Sequence, residues 1–280
     1  MKAALLQMTS GGDPAVNLEV TRAMIREAAG QGAGFILTPE VTNCISLNRA
    51  AMAQVLQDEA SDLTLAALRN EARALGVWLS IGSLGLKTDD PDGRFANRSF
   101  LISPDGEIVA RYDKIHMFDV QVSKAETYQE SKGYRPGDRA VVAQTPFGGV
   151  GLTICYDVRF PHLHRDLAKA GADILLVPAA FSPVTGAAHW ESLLRARAIE
   201  TGCFVLAAAQ TGQHSPKRAT YGHSMAISPW GDVLADAGTD VGITIIDLDL
   251  AEVAQARQRI AALTHDQEYA PPQCLTKPKT

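Results

Sequence analysis

SFLISPDGEIVA (Ser99–Ala110) has a twin further along the chain in SMAISPWGDVLA (Ser224–Ala235). In each copy an apolar run enters Ser-Pro-x-Gly, where proline presets one turn dihedral and glycine permits a positive one, and a second run leaves, so each reads as a hairpin. The likeness continues outward in the same order. AGFILTPE matches ADILLVPAA around Pro39 and Pro178, VWLSIGSLG matches FVLAAAQTG, and the opening KAALLQ matches VGLTIC. A repeat of this length predicts two similar halves. Each half alternates strand-like runs with helical patterns. Pro14–Gly30 places Val16, Leu18, Val20, Met24, Ile25 and Ala28 at helical spacing, Gly34–Glu40 reads as a buried strand ending at a proline, and Ser61–Leu75 reads as a helix between Asp62 and Gly76 ahead of a strand at Val77–Gly82. A sheet covered by helices on one side still has an apolar face to bury, and packing the two sheets together buries both. The predicted fold is therefore α/β, a four-layer α-β-β-α sandwich of two similar halves within a single domain spanning residues 1–280.

With 280 residues, 46% of them apolar and 20% charged, the chain supports a substantial core and is not intrinsically disordered. A net charge of −5 with scattered Lys and Arg argues against a nucleic-acid partner and for a small molecule. The N-terminal MKAALLQMTSGGDP has too short an apolar stretch for a signal peptide, and no run is long enough to span a membrane, so a cytoplasmic location is expected. Cys44, Cys155, Cys203 and Cys274 are far apart and form no CxxC pair, which points to free thiols.

Glu40 after FILTP, Lys114 within ARYDKIHMFD and Cys155 at the end of GVGLTIC each stand just beyond a strand-like run, where a sheet presents positioned side chains. Together they could form a catalytic unit. A cysteine attacks a carbonyl or nitrile carbon as thiolate, so it needs a base or a neighbouring positive charge. Glu40 would take the thiol proton, pass it to the departing amine and then activate water. Lys114 would hold the developing oxyanion, aided by the backbone N–H of Tyr156.

TPE (Thr38–Glu40), YDKIHMFD (Tyr112–Asp119) and ICYDVRFP (Ile154–Pro161) resemble motifs of the nitrilase superfamily of carbon–nitrogen hydrolases. So do ETYQES (Glu126–Ser131), AGADILLVPAAF (Ala170–Phe181), AHWESLLRARAIET (Ala188–Thr201) and YGHSMAISPWG (Tyr221–Gly231), covering nearly the whole chain. The resemblance implies the two-sheet sandwich, a Glu40–Lys114–Cys155 triad and a second glutamate at Glu130. It implies no metal and no cofactor, and a homodimer or higher homo-oligomer. HWE, RARAIET and TGQHSPKRATYGHSM are most similar to the amidase branch acting on linear amides of 2-oxo acids. The expected substrate is deaminated glutathione, with 2-oxoglutaramate or 2-oxosuccinamate as the alternative. Arg159 in YDVRF, Phe181 and Thr185 would line the pocket beside Tyr156, Arg159 meeting a carboxylate or holding the Cys155 loop through an ion pair. The stretch after Leu263 departs from the usual family ending.

Other readings are weaker. His162 and His164 could be metal ligands, but they follow Pro161 at a predicted helix start, where side chains two apart diverge. His116, His189 or His223 could serve Cys155 in a thiol protease, though no papain-like motif surrounds it. A non-catalytic binding protein of this fold would have no chemical need for all four of Glu40, Lys114, Cys155 and Glu130. GGVG (Gly148–Gly151) lacks the Lys-Ser/Thr of a phosphate loop and reads as a turn, and Trp190, Leu193, Leu194 and Ile199 read as core.

Overall fold

The computed structural model describes residues 1–122 and 126–274 of the chain. The first half runs β1 (Lys2–Gln7), α1 (Pro14–Gly30), β2 (Phe35–Leu37), α2 (Arg49–Val55), α3 (Leu63–Leu75), β3 (Trp78–Leu86), β4 (Ala96–Ile102) and β5 (Ile108–Asp113). A short pair, β6 (Asp119–Gln121) and β7 (Thr127–Gln129), and then β8 (Val141–Thr145) follow. The second half runs β9 (Gly148–Leu152), α4 (Pro161–Lys169), β10 (Ile174–Leu176), α5 (Pro183–Thr201) and β11 (Phe204–Ala207). It continues with the hairpin β12 (Thr211–Ser215) and β13 (Arg218–Tyr221), then β14 (Met225–Ile227), β15 (Val233–Asp236), β16 (Gly242–Asp247) and α6 (Ala251–Arg259).

One sheet has the order β16-β1-β2-β3-β4-β5 and the other β8-β9-β10-β11-β14-β15, so the matched sequence segments occupy matched strands. The two predicted hairpins are β4–β5 and β14–β15, both antiparallel. One feature is absent from the repeat as read in sequence. β8, the last strand of the first half, pairs with β9 of the second, and β16, the last strand of the second half, pairs with β1 of the first. Each sheet is completed by a strand from the other half.

Alternation along the strands divides the core. Leu5 of β1 and Phe35 and Leu37 of β2 join Leu152, Ile174 and Leu176 of the second sheet, while Ala4, Leu6 and Ile36 join Ile25, Ala28, Leu65 and Leu68 of α1 and α3. Trp190 and Leu194 of α5 and Leu163 and Leu167 of α4 belong to the cluster of the second sheet, giving the expected four layers.

The helix limits follow from local chemistry. Asp13 caps α1 through the Ala15 N–H with Pro14 at its first position, and Asp62 caps α3 through the Leu65 N–H at 2.7 Å. Gly76 ends α3 in the left-handed region at φ 66°. The buried face of α1 differs from the apolar pattern: Asn17 and Thr21 face inward, while Val16 and Val20 are exposed. Asn17 is satisfied there, donating to the Gly11 and Asn43 carbonyls and accepting from the Gly11 N–H. Likewise Trp190 and Leu194 are buried, but Ile199 is exposed.

GGVG is not a turn; it forms most of β9. Its glycines answer to packing, because a Cβ at Gly149 would lie 1.9 Å from the Gly171 carbonyl oxygen and one at Gly151 would press on Leu175, Ala172 and Leu167. Beyond α6, the Ala262 carbonyl and Asp266 carboxylate accept hydrogen bonds from Arg165, and Asp266 also from Lys169, so this stretch rests on α4. Residues 275–280 lie outside the described residues. Among the described residues, no helix is long and apolar enough to cross a membrane.

Candidate active site

Glu40, Lys114 and Cys155 follow the carboxyl ends of β2, β5 and β9. Pro39 and its counterpart Pro178 meet where β3 passes. A Cβ at Gly82 would fall 2.1 Å from the Thr38 oxygen, 2.5 Å from the Pro39 oxygen and 2.6 Å from the Pro178 Cβ, so only glycine lets β3 through behind Glu40. Cys155 opens a 3-10 turn, Cys155–Arg159, with φ at 50°, a region that side chains beyond glycine seldom adopt. Its N–H donates to the Pro178 carbonyl at 2.8 Å, which ties the start of the turn to the end of β10. The Tyr156 N–H lies in the first turn of this helix, where N–H groups have no intrahelical acceptor.

The Lys114 ammonium is buried between two carboxylates. It donates to Glu40 Oε1 at 2.9 Å and to both Glu130 oxygens at 2.9 Å. Glu40 Oε1 also accepts from Asn97 Nδ2 at 2.9 Å, and Oε2 accepts from the Ala180 N–H at 2.8 Å. Glu130 Oε2 accepts from the Phe118 N–H at 2.7 Å. Asn97 sits between the two carboxylates, donating a longer bond of 3.4 Å to Glu130, and its own Oδ1 is buried without a partner among the described residues.

Burial alone would raise Glu40, but the Lys114 charge and the hydrogen bonds it receives outweigh that, and its carboxyl is held below the ordinary range. Glu130 goes the other way: burial, with the charge of Glu40 adding, raises it despite Lys114. Lys114 would be lowered by burial, yet the carboxylates of Glu130 and Glu40 hold it well above the ordinary lysine range. Burial, and then the charge of Glu40, push the Cys155 thiol well up. The resting arrangement is thus a thiol facing an ionised carboxylate beside an ammonium.

These groups line a cavity of about 390 Å³. Of the predicted pocket residues, Phe181 lines it, packed on Trp190. Tyr156, Arg159 and Thr185 do not. The Arg159 guanidinium lies over the Phe181 and Tyr156 rings, 5.4 and 5.9 Å from their centroids, and 3.4 Å from His189 Nδ1. No carboxylate pairs with it among the described residues, so the Cys155 loop has no ion pair there. Thr185 Oγ1 lies 3.5 Å from the Ser182 carbonyl of its own helix turn.

The cavity includes residues the sequence did not single out. Arg218, from β13, donates to Tyr128 Oη at 2.9 Å and to the carbonyl of Ala180 at 2.6 Å. Arg49 donates to the carbonyls of Lys132 and Asp92. Arg49, Lys132 and Arg218 all line the cavity, and none is salt-bridged among the described residues. Cys44, a second thiol in the wall, is pushed up to about 11 by burial and by the charge of Asp13.

The histidines considered as alternatives are engaged elsewhere. His116 Nδ1 is 2.7 Å from Asp157, and His223 Nδ1 is 2.9 Å from Asp236. His164 is buried, with Nδ1 against the Phe160 carbonyl, and burial lowers it to about 4; His162 is exposed. The two diverge on the first turn of α4.

A family model described as carbon–nitrogen hydrolase matches residues 2–258. The deaminated glutathione amidase of Yersinia enterocolitica is 40% identical over 265 residues, covering 94% of this chain and 92% of its own. The crystal structure of the Caenorhabditis elegans NitFhit protein matches with a TM-score of 0.88 at 37% identity, over 95% of this chain and 65% of that longer one. A variant of the amidase from Nesterenkonia sp. AN1, solved with acrylamide added at its active site cysteine, matches with a TM-score of 0.76 at 26% identity, over 93% of this chain and 98% of that one.

Proposed function

The chain belongs to the carbon–nitrogen hydrolase family, and on that footing we propose that it is an amidase that cleaves deaminated glutathione through a thioester on Cys155. The observation that carries the reading is the Lys114 ammonium held at 2.9 Å from both Glu40 and Glu130 beside the Cys155 thiol. As Cys155 Sγ bonds to the amide carbon, its proton passes to Glu40, and the carbonyl electrons move onto oxygen. Lys114 and the Tyr156 N–H hold that oxyanion. Collapse breaks the C–N bond, and the proton on Glu40 goes to the departing amine. Water then gives a proton to Glu40 as it attacks the thioester; collapse breaks the C–S bond, and the proton returns to sulfur. Glu130 keeps Lys114 charged and aimed while Glu40 changes protonation.

The choice of substrate rests on charge. Deaminated glutathione carries a carboxylate on each side of the scissile amide, one on the acyl part and one on the departing dipeptide. A cavity with Arg49, Lys132 and Arg218, none of them salt-bridged among the described residues, in a chain of net charge −5 suits such a dianion. Arg159, over the outer side of the Phe181 ring, adds a further positive charge near this wall. The smaller 2-oxoglutaramate lacks the second carboxylate. The test compares kcat/KM for release of 2-oxoglutarate from the two substrates. A strong preference for deaminated glutathione is expected; a preference for 2-oxoglutaramate overturns the substrate assignment in favour of an omega-amidase.

A further inference from the structure

Asp157 is fully buried, two residues past the nucleophile, and accepts four hydrogen bonds on its two oxygens. Oδ1 takes the His116 N–H at 3.0 Å and His116 Nδ1 at 2.7 Å; Oδ2 takes the Tyr112 hydroxyl at 2.6 Å and the Ile154 N–H at 2.9 Å. A carboxylate has about four acceptor positions, and here each is used. Since Asp157 is acceptor-only, His116 must carry its proton on Nδ1.

The donors fall into two groups. Tyr112 and His116 flank Lys114 by two residues on either side, and Ile154 immediately precedes Cys155. Asp157 also donates its own N–H to the Ile154 carbonyl at 3.1 Å, so the pair closes the bend that holds Cys155 at positive φ. The His116 ring stacks on Phe160, which caps the same turn, with centroids 3.5 Å apart and planes 8° apart. Lys114 is aimed by Glu40 and Glu130 at its ammonium end, but neither of these is joined to the Cys155 turn by a backbone bond. Tyr112 stays a hydroxyl donor, held far above the ordinary tyrosine range by burial and by the Asp157 charge.

We propose that Asp157 is a positioning residue that fixes the Lys114 loop against the Cys155 turn, so that ammonium and sulfur keep a constant separation through the reaction. The proposal rests on the reading of Lys114 and Cys155 as the reacting pair. Asparagine could keep at most half of the bonds and would turn an NH₂ toward two donors, so Asp157→Asn is exposed to misfolding. Tyr112→Phe and His116→Phe are better probes: each removes one donor, keeps a ring, and leaves three bonds on Asp157. Neither residue lines the cavity.

The experiment measures kcat, KM, melting temperature and the pH profile of Cys155 alkylation by iodoacetamide for wild type, the two single variants and the double variant. The alkylation profile of Lys114→Ala is measured as the reference. Expected is a kcat fall of tenfold or more in the double variant, with KM within about twofold and the alkylation profile moved toward that of Lys114→Ala. A lowered melting temperature with kcat and alkylation profile unchanged would assign Asp157 a structural role only and overturn the proposal. Alkylation needs no amide, which separates the two failures. If Lys114→Ala leaves the profile unmoved, the Lys114–Cys155 reading itself falls; if Lys114→Ala moves it and the double variant does not, only the role of Asp157 falls.

Discussion

Glu40 and Glu130 share one ammonium, yet their surroundings push them in opposite directions, Glu40 down and Glu130 up. The two titrate as a unit, and the first proton to arrive on acidification goes to Glu130, leaving Glu40 free to act as base. The acid limb of kcat/KM against pH should therefore lie below the ordinary glutamate range, as a steady-state pH profile would show. Glu40→Gln keeps the shape and removes the base, and should lower kcat by about 10² to 10⁴. Glu130→Gln, which resembles the protonated state, should cost less; an equal or larger loss would contradict the division of roles. Glu40, Lys114 and Cys155 are legible in the sequence because each is a polar residue just beyond an apolar run. Asn97 and Arg218 are not, since nothing near Asn97 shows that its amide will sit between carboxylates from positions 40 and 130. Its burial within the strand ANRSFLI emerges only with the fold.

Among the elements, β3 carries the constraint that lies against the site. Gly82→Ala would drive a Cβ into two backbone carbonyls next to Glu40, which cannot yield as a side chain can. Denaturant unfolding should show a loss of about 1–3 kcal/mol, accompanied by a fall in kcat as Glu40 shifts. The outer pair α1 and α3 is joined by Glu71, which accepts hydrogen bonds from Arg22 at 2.8 Å and from Arg26. Those bonds, with Arg26 first and outweighing burial, lower the folded-state pKa of Glu71. A carboxyl lowered on folding contributes stability that is present above its unfolded value, about 4.3, and is lost as pH falls through the folded value. Glu71→Gln should accordingly reduce the melting temperature at neutral pH and flatten its decline between about pH 4 and the acid end. The helix ends at Asp62 and Gly76 were readable because caps are local chemistry. GVGLTIC read as a strand-like run, but that the strand begins within GGVG was not readable, because Gly149 answers to the backbone of Gly171 further along the chain.

At the scale of the molecule, the exchanged strands β8 and β16 make each sheet depend on the other half. Leu5→Ala in one half and Leu175→Ala in the other should each lower the same single calorimetric transition, by about 2–5 kcal/mol of stability. Two transitions moving separately would contradict that coupling. The repeat made the layers and the strand order legible, but pairing across halves is invisible in it: VVAQT and GITIID lie outside the matched segments, and the partner is chosen only when the sheets pack. The coupling also brings the proposed reacting groups together, since Glu40 and Lys114 come from one half and Cys155 and Ala180 from the other. The most direct test of the whole is release of 2-oxoglutarate from deaminated glutathione by wild type and by Cys155→Ala, both checked for native circular dichroism. Turnover by the wild type and a loss of about 10⁴-fold or more in the variant is the expected result. A folded wild type that leaves this amide intact, or a variant that still cleaves it, would contradict it.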